Sequence, residues 1–174
     1  MTAPLIRRMT LADCDRVAEI RVRGRRSAYP GLMPQSYLDT LSVERDAEQC
    51  RTRLARGDGS VVDLVAEQGG DIFGWACHGP YRNDEALTGE TELYALFVDP
   101  ARWSGGIGRT LLAEAVRGCT ASGHPRMFLW VLKENTGARR FYEREGFRAD
   151  GTEQSFEAGG VAVPEVRYVR ELPG

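Results

Sequence analysis

Residues 96–112 read Leu-Phe-Val-Asp-Pro-Ala-Arg-Trp-Ser-Gly-Gly-Ile-Gly-Arg-Thr-Leu-Leu. An apolar run ends at Pro100, a turn holding Gly105, Gly106 and Gly108 follows, and a helical pattern begins at once. Glycines remove Cβ atoms, so successive backbone N–H groups can point at one anion. The new helix adds its positive end at the same spot. A diphosphate needs such a cradle, although the same glycines would also serve a plain strand-to-helix turn. Two better-known phosphate loops are absent. There is no Gly-Lys-Ser/Thr, and counting from Gly106 and Gly108, Leu111 stands where a dinucleotide fingerprint needs its third glycine.

A second constellation lies at 129–147, Leu-Trp-Val-Leu-Lys-Glu-Asn-Thr-Gly-Ala-Arg-Arg-Phe-Tyr-Glu-Arg-Glu-Gly-Phe. On a helix, Ala138, Phe141, Tyr142 and Glu145 share a face by their spacing of three and four. Ala138 and Phe141 suit packing on a sheet, which would hold the Tyr142 phenol at the sheet's edge. Taken alone, a Tyr beside a Phe is more often core packing with a satisfied hydroxyl than an acid.

The elements that must position these groups are legible in outline. Residues 5–9 suit a strand, and Thr10 to Asp13 forms a cap opening a helix that runs to about Arg26 and is over by Pro30. Short helices are expected at 34–41 and 43–56, the second with Arg45 and Arg53 outward. Residues 61–67 and 72–78 flank Gln-Gly-Gly-Asp as a hairpin. Residues 92–98 and 127–132 are nearly all apolar, as strands buried on both faces are. Helices are expected at 105–120, with Cys119 on its apolar stripe, and at 136–145, stopped by Gly146. Residues 147–157 and 161–170 close the chain as a hairpin.

With 42% hydrophobic and 28% charged residues in 174, the chain has the balance of one globular domain spanning 1–174. Lys+Arg 23 against Asp+Glu 25 gives a net charge of −2, which argues against nucleic acid or anionic lipid as a partner. Cys14, Cys50, Cys77 and Cys119 stand far apart with only His78 and His124 to join them. No zinc or other metal site and no disulfide framework is expected, only reduced thiols. No signal peptide and no membrane-spanning run is visible, so a cytoplasmic location is expected.

Together, Val98-x-Pro100, Gly106-Ile-Gly108-Arg-x-Leu-Leu and Asn135-x-x-Ala138-x-x-Phe141-Tyr142-x-x-x-Gly146-Phe147 resemble the GCN5-related N-acetyltransferase (GNAT) superfamily. The resemblance covers essentially the whole chain. It implies a mixed α/β fold: a central, mostly antiparallel sheet flanked by helices. It also implies acetyl-CoA as co-substrate, bound by Trp103, Ser104, Gly105, Gly106, Ile107, Gly108 and Arg109. Pantetheine would run along Leu96, Phe97 and Val98, with the oxyanion donor near Leu96, while Asn135 touches the arm and Tyr142 protonates the leaving thiolate. One departure stands out: three residues before Gly106 the family usually carries Gln or Arg, and here it is Trp103.

Acetyl transfer to an amine needs a deprotonated acceptor, fixed donors for the oxyanion and an acid for the thiolate. Glu92, at the family's spacing for a general base, is the candidate for the first role, with Glu90, Tyr94, His78 or water as substitutes. Period-two alternation puts Glu92, Tyr94, Leu96 and Val98 on one face. The cysteines have no His and carboxylate nearby in sequence, so direct transfer in a ternary complex is expected over an acyl-cysteine. The expected acceptor is a small-molecule primary amine, chosen by segment 23–41, with Tyr29, Leu32, Met33 and Tyr37 as an apolar wall, and by loop 79–89, with Asp84, Glu85 and Glu90. A protein N-terminus or lysine is the alternative acceptor, and a non-catalytic acyl-CoA-binding module the alternative of another class. The resemblance leaves a homodimer open, with the Gly159-Gly160 hairpin as a site of pairing.

Overall fold

A computed structural model describes residues 2–82 and 90–174; Asp84 and Glu85 lie outside the described residues. Twelve principal elements follow in chain order: β1 (Leu5–Arg8), α1 (Cys14–Ala28), α2 (Gln35–Asp39), α3 (Val43–Arg56), β2 (Val62–Gln68), β3 (Asp71–Pro80), β4 (Thr91–Val98), α4 (Ile107–Ala121), β5 (Arg126–Leu132), α5 (Thr136–Arg144), β6 (Arg148–Ala158) and β7 (Val161–Glu171). The strands form one sheet in the order β1-β2-β3-β4-β5-β7-β6. Neighbours run antiparallel except β4 and β5, which are parallel. The fold is mixed α/β, a mostly antiparallel sheet flanked by helices.

The apolar stripe of α4, including Leu111, Ala115 and Cys119, packs with Ala76, Leu93, Met127 and Leu129 on one sheet face; Ala138, Phe141 and Tyr142 of α5 lean on the same cluster. The other face is covered by α1 through Val17 and Ile20, against Val65 and Trp75. Arg53 is exposed, as its position suggests, yet its guanidinium also reaches a buried acid. Both terminal nitrogens bind Asp63 at 2.8 Å, because a buried carboxylate on β2 needs a countercharge. Among the described residues no helix is long and apolar enough to cross a membrane.

Two local features set up the centre of the molecule. Between Cys77 and His78 the register of β3 on β4 slips: Cys77 faces Ala95 and His78 faces Leu93, leaving Tyr94 as an extra residue in β4. That bulge overturns the simple alternation. Glu92 and Tyr94 meet Arg82 on one face, whereas Leu96 and Val98 pack with the α4 cluster on the other. The second feature is the end of α5, where Phe147 N–H reaches Tyr142 C=O at 3.0 Å and Gly146 N–H reaches Glu143 C=O at 3.2 Å. Gly146 sits at φ 89°, so this paired C-terminal lock needs glycine there.

Candidate active site

Strands β4 and β5 pair only at Thr91–Met127, Glu92–Phe128 and Leu93–Leu129. Beyond Leu93, β4 stays bonded to β3 while residues 130–132 of β5 stay bonded to β7, so the sheet splits into a wedge. The wedge opens into a cleft of about 1220 Å³, lined by residues 94–98 along the split edge. A single small ligand usually occupies roughly 300–1,000 Å³. The cleft has room for two partners side by side.

The glycine turn forms one end. Asp99, buried, caps the short helix Pro100–Arg102 through the Ala101 N–H and is held by Arg16 at 2.6 Å. Burial raises its pKa, but the Ala101 N–H and Arg16 outweigh this and hold the carboxyl below its usual range. The chain then turns through Ser104 (φ 63°) and Gly106 (φ 83°) into α4, whose first helical bond is Thr110 N–H to Gly106 C=O. From Ser104 through Arg109, six consecutive backbone N–H groups therefore donate to nothing among the described residues. At Gly108 an added Cβ would stand 3.5–3.6 Å from Leu96, Phe141 and Val98, which is how closely α4 approaches the strand end. Arg102, Arg109 and Arg144 line the cleft with one acid among them, Glu145, which faces Arg109 at 3.5 Å, so positive charge is in excess there. Donors, dipole and arginines together fit a diphosphate.

Trp103, 48% exposed, folds its indole N–H back onto the Val98 carbonyl at 3.0 Å. One backbone group expected to receive a pantetheine amide is thus already bonded.

Tyr142 and Asn135 line the cleft from α5. Asn135 caps the helix, its side-chain Oδ1 accepting the Ala138 N–H at 3.2 Å, so it orients the helix that carries Tyr142. The Tyr142 ring is wedged edge-on between Phe141 and Phe147, with centroids at 5.2 and 6.0 Å. Its hydroxyl makes no hydrogen bond among the described residues. Burial, with Tyr29 close by, pushes the phenol above its usual pKa, so the proton stays on oxygen. The residue is half-buried and lines the cleft, so this hydroxyl is free to bond a ligand there.

Glu92 is 2% exposed and does not line the cleft. Its carboxylate accepts the Arg82 backbone N–H at 3.0 Å and faces the Arg82 guanidinium at 3.3 Å. His78 sits on the α4 side of the sheet, 3.5 Å from Cys119 Sγ, and burial lowers its pKa to about 4. It is neutral and turned away from the cleft.

The opposite end is built by residues from four segments. Tyr29, Met33 and Tyr37, expected as an apolar wall, pack against Leu132, Ala158 and Val163. Trp130, Phe156 and Glu165 complete this end and carry no sequence signal of their own. Leu132 faces Glu165, and Trp130 faces Arg167 across the β5–β7 ladder, so these side chains converge only through strand register.

Comparison with known proteins agrees with this architecture. The model of the acetyltransferase (GNAT) family matches residues 25–147. An uncharacterized N-acetyltransferase, YuaI of Bacillus subtilis, is 30% identical over 92% of this chain and 89% of its own length. A probable N-acetyltransferase of Mycobacterium tuberculosis, Rv2775, is 31% identical over 90% and 87%. Among solved structures, the PaiA N-acetyltransferase of Thermoplasma acidophilum in complex with coenzyme A superimposes with a TM-score of 0.79 at 19% identity, covering 98% of this chain and 99% of that one. Matched by the family's own model over most of its length and by relatives over about nine-tenths of it, this chain belongs to the acetyltransferase (GNAT) family and is an N-acetyltransferase.

Proposed function

We propose that the protein carries an acetyl group from acetyl-CoA directly to the primary amine of a small molecule, both bound at once in the split between β4 and β5. The observation that carries this reading is the run of six unpartnered N–H groups at residues 104–109 opening onto a cleft large enough for two ligands. The thioester supplies an activated acetyl group and a leaving thiolate; the protein's residues do the rest.

In this reading the 104–109 amides and Arg109 hold the diphosphate. The unpaired edge of β4 around Leu96 and Phe97 aligns the arm and donates to the carbonyl oxygen as it becomes an oxyanion. Tyr142 offers its O–H to the sulfur. A phenol at pKa about 10 or above is a weaker acid than a thiol near 8.5, so the contribution is a hydrogen bond to charge growing on sulfur. Glu92, expected from the sequence as general base, is held by Arg82 behind the cleft wall and takes no amine proton in this reading. The lining at the far end, with Tyr29, Met33, Tyr37, Trp130 and Phe156, suits the body of a small acceptor. Measuring CoA release across a panel of amines tests the reading. Turnover with a small amine and none with peptides is expected; turnover confined to peptides overturns the acceptor class.

A further inference from the structure

Buried and half-buried acids in this protein come with cations. Arg7 serves Asp13, Arg53 serves Asp63, Arg82 serves Glu92, Arg126 serves Glu90, Arg16 serves Asp99 and Arg167 serves Asp150. Glu165 breaks the pattern. It is half-buried on β7 and lines the cleft, yet among the described residues no Lys, Arg or His nitrogen lies within 4.0 Å of it. Its hydrogen-bond partner is the Gln154 amide, at 2.9 Å. A carboxylate withdrawn from water without a countercharge is costly, and here the open side is the cleft.

We propose that the missing cation is the acceptor's own ammonium: Glu165 binds the amine and takes its proton, and the acceptor is an amine carried on an apolar or aromatic body. The body would fill the chamber of Tyr29, Met33, Tyr37, Trp130 and Phe156, where Tyr37 and Phe156 meet edge to face at 6.1 Å. Aromatic faces also favour a cation held among them. This inference rests on the acetyl-transfer reading above.

The charges facing Glu165 support the role. Burial, and Glu92 behind it, raise the Glu165 pKa above the ordinary carboxylate range, against the pull of the Gln154 amide and of Arg82; Tyr29 faces it across the cleft, with Arg25 beyond. A carboxylate shifted upward is a better proton acceptor. A carboxylate on the acceptor's α-carbon would meet Glu165, so amines lacking one are selected.

The proton account closes. R–NH₃⁺ gives one proton to Glu165, and the freed lone pair forms the C–N bond to the thioester carbon. Collapse of the adduct breaks the C–S bond, and the thiolate receives the second amine proton. The products are R–NH–acetyl and the free thiol, and Glu165 returns its proton to solvent.

The test compares wild type with Glu165→Gln. With 2-phenylethylamine, kcat/KM for the amine should fall about 10²–10⁴-fold at pH 7, the range for a lost general base. Acetyl-CoA affinity by calorimetry and the melting temperature should stay unchanged. In wild type kcat/KM should rise with pH through the Glu165 titration, and that acidic limb should vanish in the variant. The non-acetylatable (2-phenylethyl)trimethylammonium should compete with the amine in wild type and not in Glu165→Gln, a readout that needs no turnover. Wild type should prefer 2-phenylethylamine over phenylalanine. Unchanged amine kinetics, a retained acidic limb or a preference for phenylalanine overturns the inference while leaving acetyl transfer standing. Wild type that binds no acetyl-CoA brings down the prior reading instead.

Discussion

The two ends of the cleft are made of different materials. The 104–109 end is backbone: six N–H groups, a helix terminus and glycines that leave them bare. The Tyr29–Glu165 end is side chain, drawn from segments more than a hundred residues apart and joined by strand register. A backbone site should tolerate variation in its side chains, Trp103 in place of the family's Gln or Arg included. It is intolerant of changes in φ and ψ. A side-chain site has the opposite sensitivities, so one family can keep its donor site while its acceptor sites diverge.

The sharpest way to break this contrast is Gly106→Val. Gly106 has open space around its Cβ direction but sits at φ 83°, which a β-branched residue adopts only under strain. Acetyl-CoA binding should be abolished by calorimetry, with a cooperative melt retained. Undiminished affinity would mean that the cradle is not made of backbone.

Tyr142→Phe probes the junction of the two ends. If the hydroxyl acts on the leaving sulfur, kcat should fall about 10²-fold, at the low end for a proton-transfer residue, with acetyl-CoA affinity nearly unchanged. A thioester with a more acidic leaving thiol should lose less. Equal losses for good and poor leaving groups would return Tyr142 to packing on Phe141 and Phe147.

The smallest effect on catalysis is expected from His78→Gln, on the far face of the sheet. With its pKa lowered from 6.5 to about 4, His78 stays neutral in the folded protein while the unfolded chain takes up a proton below pH 6.5. Stability contributed at neutral pH is therefore lost as pH falls from 6.5 to 4, by roughly 3 kcal/mol at 1.36 kcal/mol per unit. The variant should flatten the dependence of melting temperature on pH across that window and leave the pH–rate profile in place. A shifted rate profile would put His78 back in the chemistry.

Much of this molecule was legible in residue order. The turn at Gly105–Gly108, the helix stop at Gly146, the apolar stripe of α4 and the terminal hairpin are all determined by neighbours within a few positions, because backbone conformation, capping and periodicity are local effects. The same locality let the cradle and Tyr142 be named from motifs, since each lies on a single strand–turn–helix unit. Tertiary structure alone decided the rest. The bulge at Tyr94 split the alternation that linked Glu92 to Leu96, and Arg82 then claimed Glu92. Glu165 became the unpaired acid of the cleft only because β7 pairs with β5 in one register. Charge compensation and convergence of side chains depend on distances through space, and those are set by which strands lie side by side.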